Sequence, residues 1–83
     1  MPYIIQTRRD ELGLMYLVPE MEVAGDLEYL VTMFIIEYMR DKGLNHDTIV
    51  TVRGVLTGVL AEFNRRVAFP YEDTKIKENG DVY

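Results

Sequence analysis

Hydrophobic side chains recur at helical spacing through the middle of the chain. Starting at Leu27, they occupy positions i, i+3, i+4, i+7, i+8, i+11 and i+12: Leu27, Leu30, Val31, Phe34, Ile35, Tyr38 and Met39. This period is typical of an amphipathic α-helix. Asp26 precedes the pattern as the expected N-cap, and Gly43 follows it as the expected stop. The pattern predicts a helix over about residues 26–42.

The same helix carries a second apolar stripe, formed by Tyr29, Met33 and Ile36. A helix that is apolar on two sides is normally buried on both. We therefore expect this helix to lie at the centre of its domain or to be shared with another subunit.

A third helix is predicted over about residues 46–67, with Asn45 or Asp47 as its N-cap. Its apolar residues repeat at 3-4-3-4 spacing, as in closely packed helices: Ile49, Val52, Leu56, Val59 and Phe63. Small residues line another face: Thr51, Gly54, Gly58 and Ala61. Because an interior glycine costs about 1 kcal/mol relative to alanine, another backbone should approach here closely. That backbone belongs either to the second helix or to a neighbouring subunit.

Both ends of the chain give weaker patterns. Thr7 is the expected N-cap of a first helix over about residues 8–23, although Pro19 interrupts its apolar spacing. Pro70 is expected to end the helical region, and Asn79-Gly80 is the preferred pair for a tight hairpin turn. The sequence thus predicts one all-α, three-helix domain over residues 1–83, with a C-terminal turn or β-hairpin in its tail, residues 70–83.

Size and composition limit the stability and the chemistry of this domain. At 83 residues and 9.7 kDa, without cysteine, a lone core is marginal, and we expect a homo-oligomer. The chain has no serine and one histidine, which excludes serine and cysteine hydrolases and multi-histidine metal centres. His46 is interpreted as a solvated helix-start residue. The sequence predicts a protein that is not an enzyme and that holds no cofactor or metal.

The charge is acidic, with 9 Lys and Arg against 14 Asp and Glu, net −5. Such a balance argues against binding to duplex nucleic acid. Six acids and no base lie from Asp10 to Glu28. The N-terminus lacks the features of a signal peptide, and no apolar stretch approaches the roughly 20 residues that span a bilayer. We therefore expect a cytoplasmic protein that is not inserted in a membrane.

A basic and aromatic cluster stands out in this acidic chain. It consists of Arg65, Arg66, Tyr71, Lys75 and Tyr83. Guanidinium groups bind phosphate in two-pronged geometry, and aromatic rings stack on bases. The alternative is structural, with cations at a helix end and Glu62 pairing with Arg66. Similarly, Glu37 and Arg53 either form a boundary ion pair, with one of them otherwise in solvent, or line an intersubunit pocket.

The chain also resembles a known group of proteins along nearly its whole length. The C-terminal run Arg65-Arg66-Val67, Pro70-Tyr71-Glu72-Asp73, Lys75-Ile76 and Glu78-Asn79-Gly80-Asp81-Val82-Tyr83 carries the resemblance, together with Pro2-Tyr3-Ile4 and Gly25-Asp26-Leu27. These motifs resemble a family of short bacteriophage and prophage proteins. Asn64 departs from the tyrosine expected there. The resemblance implies a phage-type origin, and with it the cytoplasm of a host cell.

Together these observations suggest a non-enzymatic binding protein that sequesters a host nucleotide immune signal. In this hypothesis Arg65, Arg66 and Lys75 hold phosphate, while Tyr71 or Tyr83 stacks on a base. A second hypothesis is an inhibitor of a host enzyme, acting through the acidic segment from Asp10 to Glu28 on a basic protein surface. A third is a structural assembly protein.

Overall fold

Regular structure is entirely helical in the computed structural model, which describes residues 2–13 and 17–83. Its elements are α1 (Gln6–Leu12), α2 (Ala24–Lys42), α3 (His46–Phe63), a π-helical segment (Asn64–Ala68) and α4 (Phe69–Asn79). The all-α expectation is confirmed. The chain divides into two compact units, Pro2–Val52 and Arg53–Tyr83.

Helix α1 is shorter than the sequence predicts. It begins at Gln6, after Ile5 in extended conformation, and no side chain caps it, so the assignment of Thr7 as N-cap was wrong. Gly13 ends the helix in the left-handed region at φ 54°, which glycine adopts without steric cost. The predicted helix over 8–23 stops there, since residues 17–23 are not helical; the predicted helical residues 14–16 lie outside the described residues.

The start of α2 differs from the expected cap. The helix begins at Ala24, so Asp26 lies at its third position rather than at the N-cap. From there its carboxylate accepts hydrogen bonds from the backbone N–H groups of Glu22 and Val23, at 2.9 and 3.3 Å. The acid therefore satisfies donors at the helix start by reaching backwards, as the third residue of a capping box does. The predicted end is confirmed, because α2 stops at Lys42 before Gly43.

Helix α3 begins with the cap that the sequence offered as one of two candidates. Asn45 Oδ1 accepts hydrogen bonds from the backbone N–H of Thr48 at 2.9 Å and from its hydroxyl at 3.2 Å. Asn45 is thus the N-cap, and His46 is the exposed first residue of the helix. Thr48 is 6% exposed, the only residue classed as buried in the described part of the chain.

Pro70 does not end the helical region, contrary to the sequence prediction. Within an α-helix a proline ring collides with the carbonyl four residues earlier and removes a hydrogen bond. Here the turn before it is π-helical, and the Phe69 N–H donates to the Asn64 carbonyl, five residues back. The wider turn gives the ring room, and Pro70 occupies the first turn of α4, where a missing N–H is tolerated.

Helix α4 replaces the predicted C-terminal hairpin. Asn79 is its last residue, and Gly80, at φ 88°, ends the helix instead of forming a two-residue turn. The Gly80 N–H donates to the Ile76 carbonyl at 2.8 Å. Glu72 in the first turn and Lys77 in the last complement the helix dipole. No strand occurs in residues 2–13 or 17–83.

No hydrophobic side chain among the described residues is buried. The apolar stripes that the sequence predicts on α2 and α3 do form, but their residues are at most half-buried, and many are exposed. Leu27 and Phe34 of α2 are 55% and 56% exposed, and Val59 of α3 is 55% exposed. The helices of one chain therefore leave most of their hydrophobic stabilisation unrealised.

Replacing Asn45 with alanine should destabilise the start of α3. The variant loses the acceptor for both Thr48 donors, and we expect a loss of about 1 kcal/mol in the free energy of unfolding. The measurement is urea unfolding followed by circular dichroism, at one fixed protein concentration.

Two variants serve as controls for this test. Asn45→Asp keeps an acceptor at the N-cap and should stay close to the unsubstituted protein. Asn79→Ala, at the other end of the helical region, removes an asparagine without removing a cap. Equal losses for Asn45→Ala and Asn79→Ala would show that the Asn45 cap has no special role.

Candidate functional site

The basic and aromatic residues that the sequence singled out lie on three consecutive segments. Arg65 and Arg66 belong to the π-helical segment, Tyr71 and Lys75 to α4, and Tyr83 to the tail that follows it. All five are exposed. Their availability to a ligand depends on the partners each already has.

Arg65 is held by an acid on the preceding turn. Its guanidinium forms a two-pronged contact with Glu62, with Nη2–Oε2 at 3.1 Å and Nε–Oε1 at 3.3 Å. The Glu62 side chain is 22% exposed and that of Arg65 62%. The predicted pairing of Glu62 with Arg66 was therefore wrong, because Arg65 takes this carboxylate. Another anion would have to compete with it for Arg65.

Arg66 projects from the helix in a different direction. Successive residues of a helix do not share a face, so Arg65 and Arg66 do not form one clamp. Arg66 makes no ion pair with any residue that the structure describes. It is the cation of the predicted cluster that is most available to an incoming anion.

Tyr71 and Lys75 contact each other one turn apart on α4. The Lys75 ammonium lies 5.4 Å from the centre of the Tyr71 ring, within the range of a cation–π interaction. The same ammonium pairs with Glu78 at 3.1 Å. The spacing places a ring and a cation side by side, as the ligand hypothesis requires, but the charge of Lys75 is already shared.

A shallow cleft of about 260 Å³ lies between α4 and the tail. Lys75 and Tyr83 both line it, whereas the other predicted site residues do not. Glu72 and Asp81 line it as well, so two carboxylates face one ammonium. This balance makes the cleft a poor site for phosphate within a single chain.

A second cleft, of about 230 Å³, lies on the Pro2–Val52 unit. Its lining is entirely apolar or proline: Leu17, Val18, Pro19, Leu30 and Phe34. The sequence did not predict this cleft, because Leu17 and Val18 fall within the helix predicted over residues 8–23. Pro19 was the sequence signal against a helix at Leu17 and Val18, because a proline interrupts helical spacing.

The most extensive surface feature is exposed apolar side chain. Most of the large hydrophobic side chains among the described residues are exposed, and none is buried. Apolar side chains that remain in water do not contribute the stabilisation that burial supplies in a folded domain.

Two kinds of feature are absent from residues 2–13 and 17–83. No three acidic or histidine side chains there are arranged to hold a metal ion. None of the helices there has both the length and the apolar content to cross a bilayer.

Comparison with known proteins places the chain in one family. The model of the family described as Domain of unknown function (DUF6899) matches residues 1–82, nearly the whole chain, so the chain belongs to that family. No curated protein matches it. No solved structure matches it either.

Replacing Tyr71 tests the geometry of the ring and the ammonium. The ring current of Tyr71 should shift the Cε protons of Lys75 upfield in the NMR spectrum. Tyr71→Phe keeps the ring and should keep that shift, whereas Tyr71→Leu should abolish it. An unchanged Lys75 signal in Tyr71→Leu would contradict the contact.

Proposed function

We propose that this DUF6899 protein is a non-enzymatic assembly protein that works as a homo-oligomer, whose subunits bury their apolar helix faces against one another. The observation that carries the proposal is that no hydrophobic side chain among the described residues is buried, while most of the large ones are exposed. Apolar surface in contact with water disfavours the isolated chain by about 25 cal/mol for each Å² left unburied.

The absence of a buried apolar core in the described residues indicates what kind of contact would be needed. A standard protein–protein interface buries about 800 Å² on each partner, whereas obligate homodimer interfaces bury about 2,000–5,000 Å² in total and resemble a domain core cut in half. Chains without a core of their own fit the obligate class. This supports subunits that are stable only together, rather than folded monomers that meet transiently.

The composition supports the same proposal. Small domains that lack a sufficient core are usually stabilised by disulfides, by metals or by association. This chain contains no cysteine, so disulfides are not available. Association provides the burial that a single chain does not.

Sedimentation velocity and native mass spectrometry test this proposal directly. We expect a species whose mass is a multiple of 9.7 kDa at micromolar concentration. Because only the associated state is folded, the midpoint of thermal unfolding should rise with protein concentration. A folded monomer with a midpoint independent of concentration would overturn the proposal.

A second candidate function is the binding of a small anionic ligand of the nucleotide type by the assembled protein, as in sequestration of a host nucleotide signal. The observation that favours it is the Tyr71–Lys75 contact at 5.4 Å, with Tyr71 61% exposed and its ring able to stack on a base. Arg66 is a further cation, five residues before Tyr71 in the sequence. A phosphate site would need these groups from more than one subunit, because one chain surrounds Lys75 with carboxylates.

Isothermal titration with a panel of cyclic and linear nucleotides tests this second candidate. We expect heat of binding that Arg66→Ala and Tyr71→Ala both abolish. Lys42→Ala is the matched control, since it removes an exposed cation from α2 and should leave binding intact. The absence of heat from every nucleotide would count against ligand binding while leaving the assembly proposal in place.

A further inference from the structure

One face of α3 unites the properties that a self-association surface requires. It consists of Val55, Leu56, Val59, Leu60 and Phe63, here called the α3 apolar face. These residues follow the spacing i, i+1, i+4, i+5 and i+8, which places them on one side of a helix. All five lie within the Arg53–Tyr83 unit.

This face is both apolar and open to solvent in the single chain. The exposed fractions are 53% for Val55, 43% for Leu56, 55% for Val59, 60% for Leu60 and 54% for Phe63. Each is a large aliphatic or aromatic side chain. Contiguous exposed apolar surface of this kind marks a protein-binding face.

Charge distinguishes the unit that carries this face from the other unit. The Pro2–Val52 unit holds four basic and nine acidic side chains, so two copies of it would repel each other. The Arg53–Tyr83 unit holds five basic and five acidic side chains and is neutral. Two neutral surfaces approach each other without electrostatic cost, which makes a second copy a suitable occupant.

We propose that the α3 apolar face is the centre of the subunit interface and packs against the same face of a second copy of this chain. The inference rests on the proposed self-association and specifies its location. Leu56, Val59 and Phe63 have the 3-4 spacing with which facing helices interlock. A two-fold interface uses the same patch on both subunits, and an apolar face meets its own copy without opposing like charges.

The opposite side of α3 gives the competing location. Gly54, Gly58 and Ala61 form a strip of small residues there, and a Cβ built at either glycine meets no atom within 4 Å. That open strip is not part of the proposed interface. It provides the control position for the tests below, Ala61, which lies on the same helix, is exposed and faces away from Val59.

Thiol reactivity provides the first test, because the chain has no cysteine of its own. Val59→Cys and Ala61→Cys each introduce a single thiol into the full-length protein. In the oligomer the Val59→Cys thiol should react with Ellman's reagent about tenfold or more slowly relative to the Ala61→Cys thiol. Equal rates for the two thiols in an oligomer would overturn the proposed location.

Lysine substitutions provide the second test. Leu60→Lys places a charge in the proposed interface and should raise the dissociation constant of the oligomer about thirtyfold or more. Ala61→Lys should leave it nearly unchanged. Sedimentation velocity measures both, and the helical circular dichroism of each variant shows whether it still folds on association at high concentration.

The outcomes separate this inference from the proposal on which it rests. A monomeric unsubstituted protein overturns self-association itself, and the location with it. An oligomer that Leu60→Lys leaves intact, or that Ala61→Lys dissociates, keeps the assembly and overturns the α3 apolar face as its centre. If Leu60→Lys fails to fold, the reaction rates of the two thiols decide.

Discussion

Burial of apolar surface is the constraint on which every other feature of this protein depends. The helices bring their hydrophobic residues onto defined faces, yet no hydrophobic side chain among the described residues is buried. The hydrophobic effect is the dominant favourable contribution to folding, and here it acts mainly on surface that a single chain leaves in water. The proposed assembly would meet this constraint, because one subunit would supply the apolar surroundings of another.

Within one chain, short-range hydrogen bonds and ion pairs define the helices. Asn45 caps α3, Asp26 satisfies donors at the start of α2, and Glu62 pairs with Arg65 one turn away. Contacts of this kind contribute about 0.3–1 kcal/mol each at exposed positions, less than the cost of ordering the backbone of a single residue. They determine where helices begin, end and continue, but they do not stabilise a fold without further burial.

Contacts between neighbouring side chains of one helix also determine what the candidate ligand site can bind. Lys75 lies beside both the Tyr71 ring and Glu78, and Arg65 lies against Glu62, so most cations of the cluster have an acidic partner nearby. Sequence reasoning grouped these residues because they are close along the chain. Their separation follows from helix geometry, since neighbours in the sequence project in different directions. A shared anion site would have to combine groups from different subunits.

The sequence by itself determined α2 and α3, because their apolar residues repeat at the helical period and the signals at Gly43 and Asn45 are local. It also identified which faces are apolar, since that depends only on spacing. It did not determine how the chain passes Pro70, because a π-helical turn relieves the clash that normally ends a helix, and Asn79-Gly80 then serves as a helix end rather than a hairpin. Only the tertiary structure decided that the apolar faces remain uncovered, since burial depends on which surfaces meet in space and not on the order of residues along the chain.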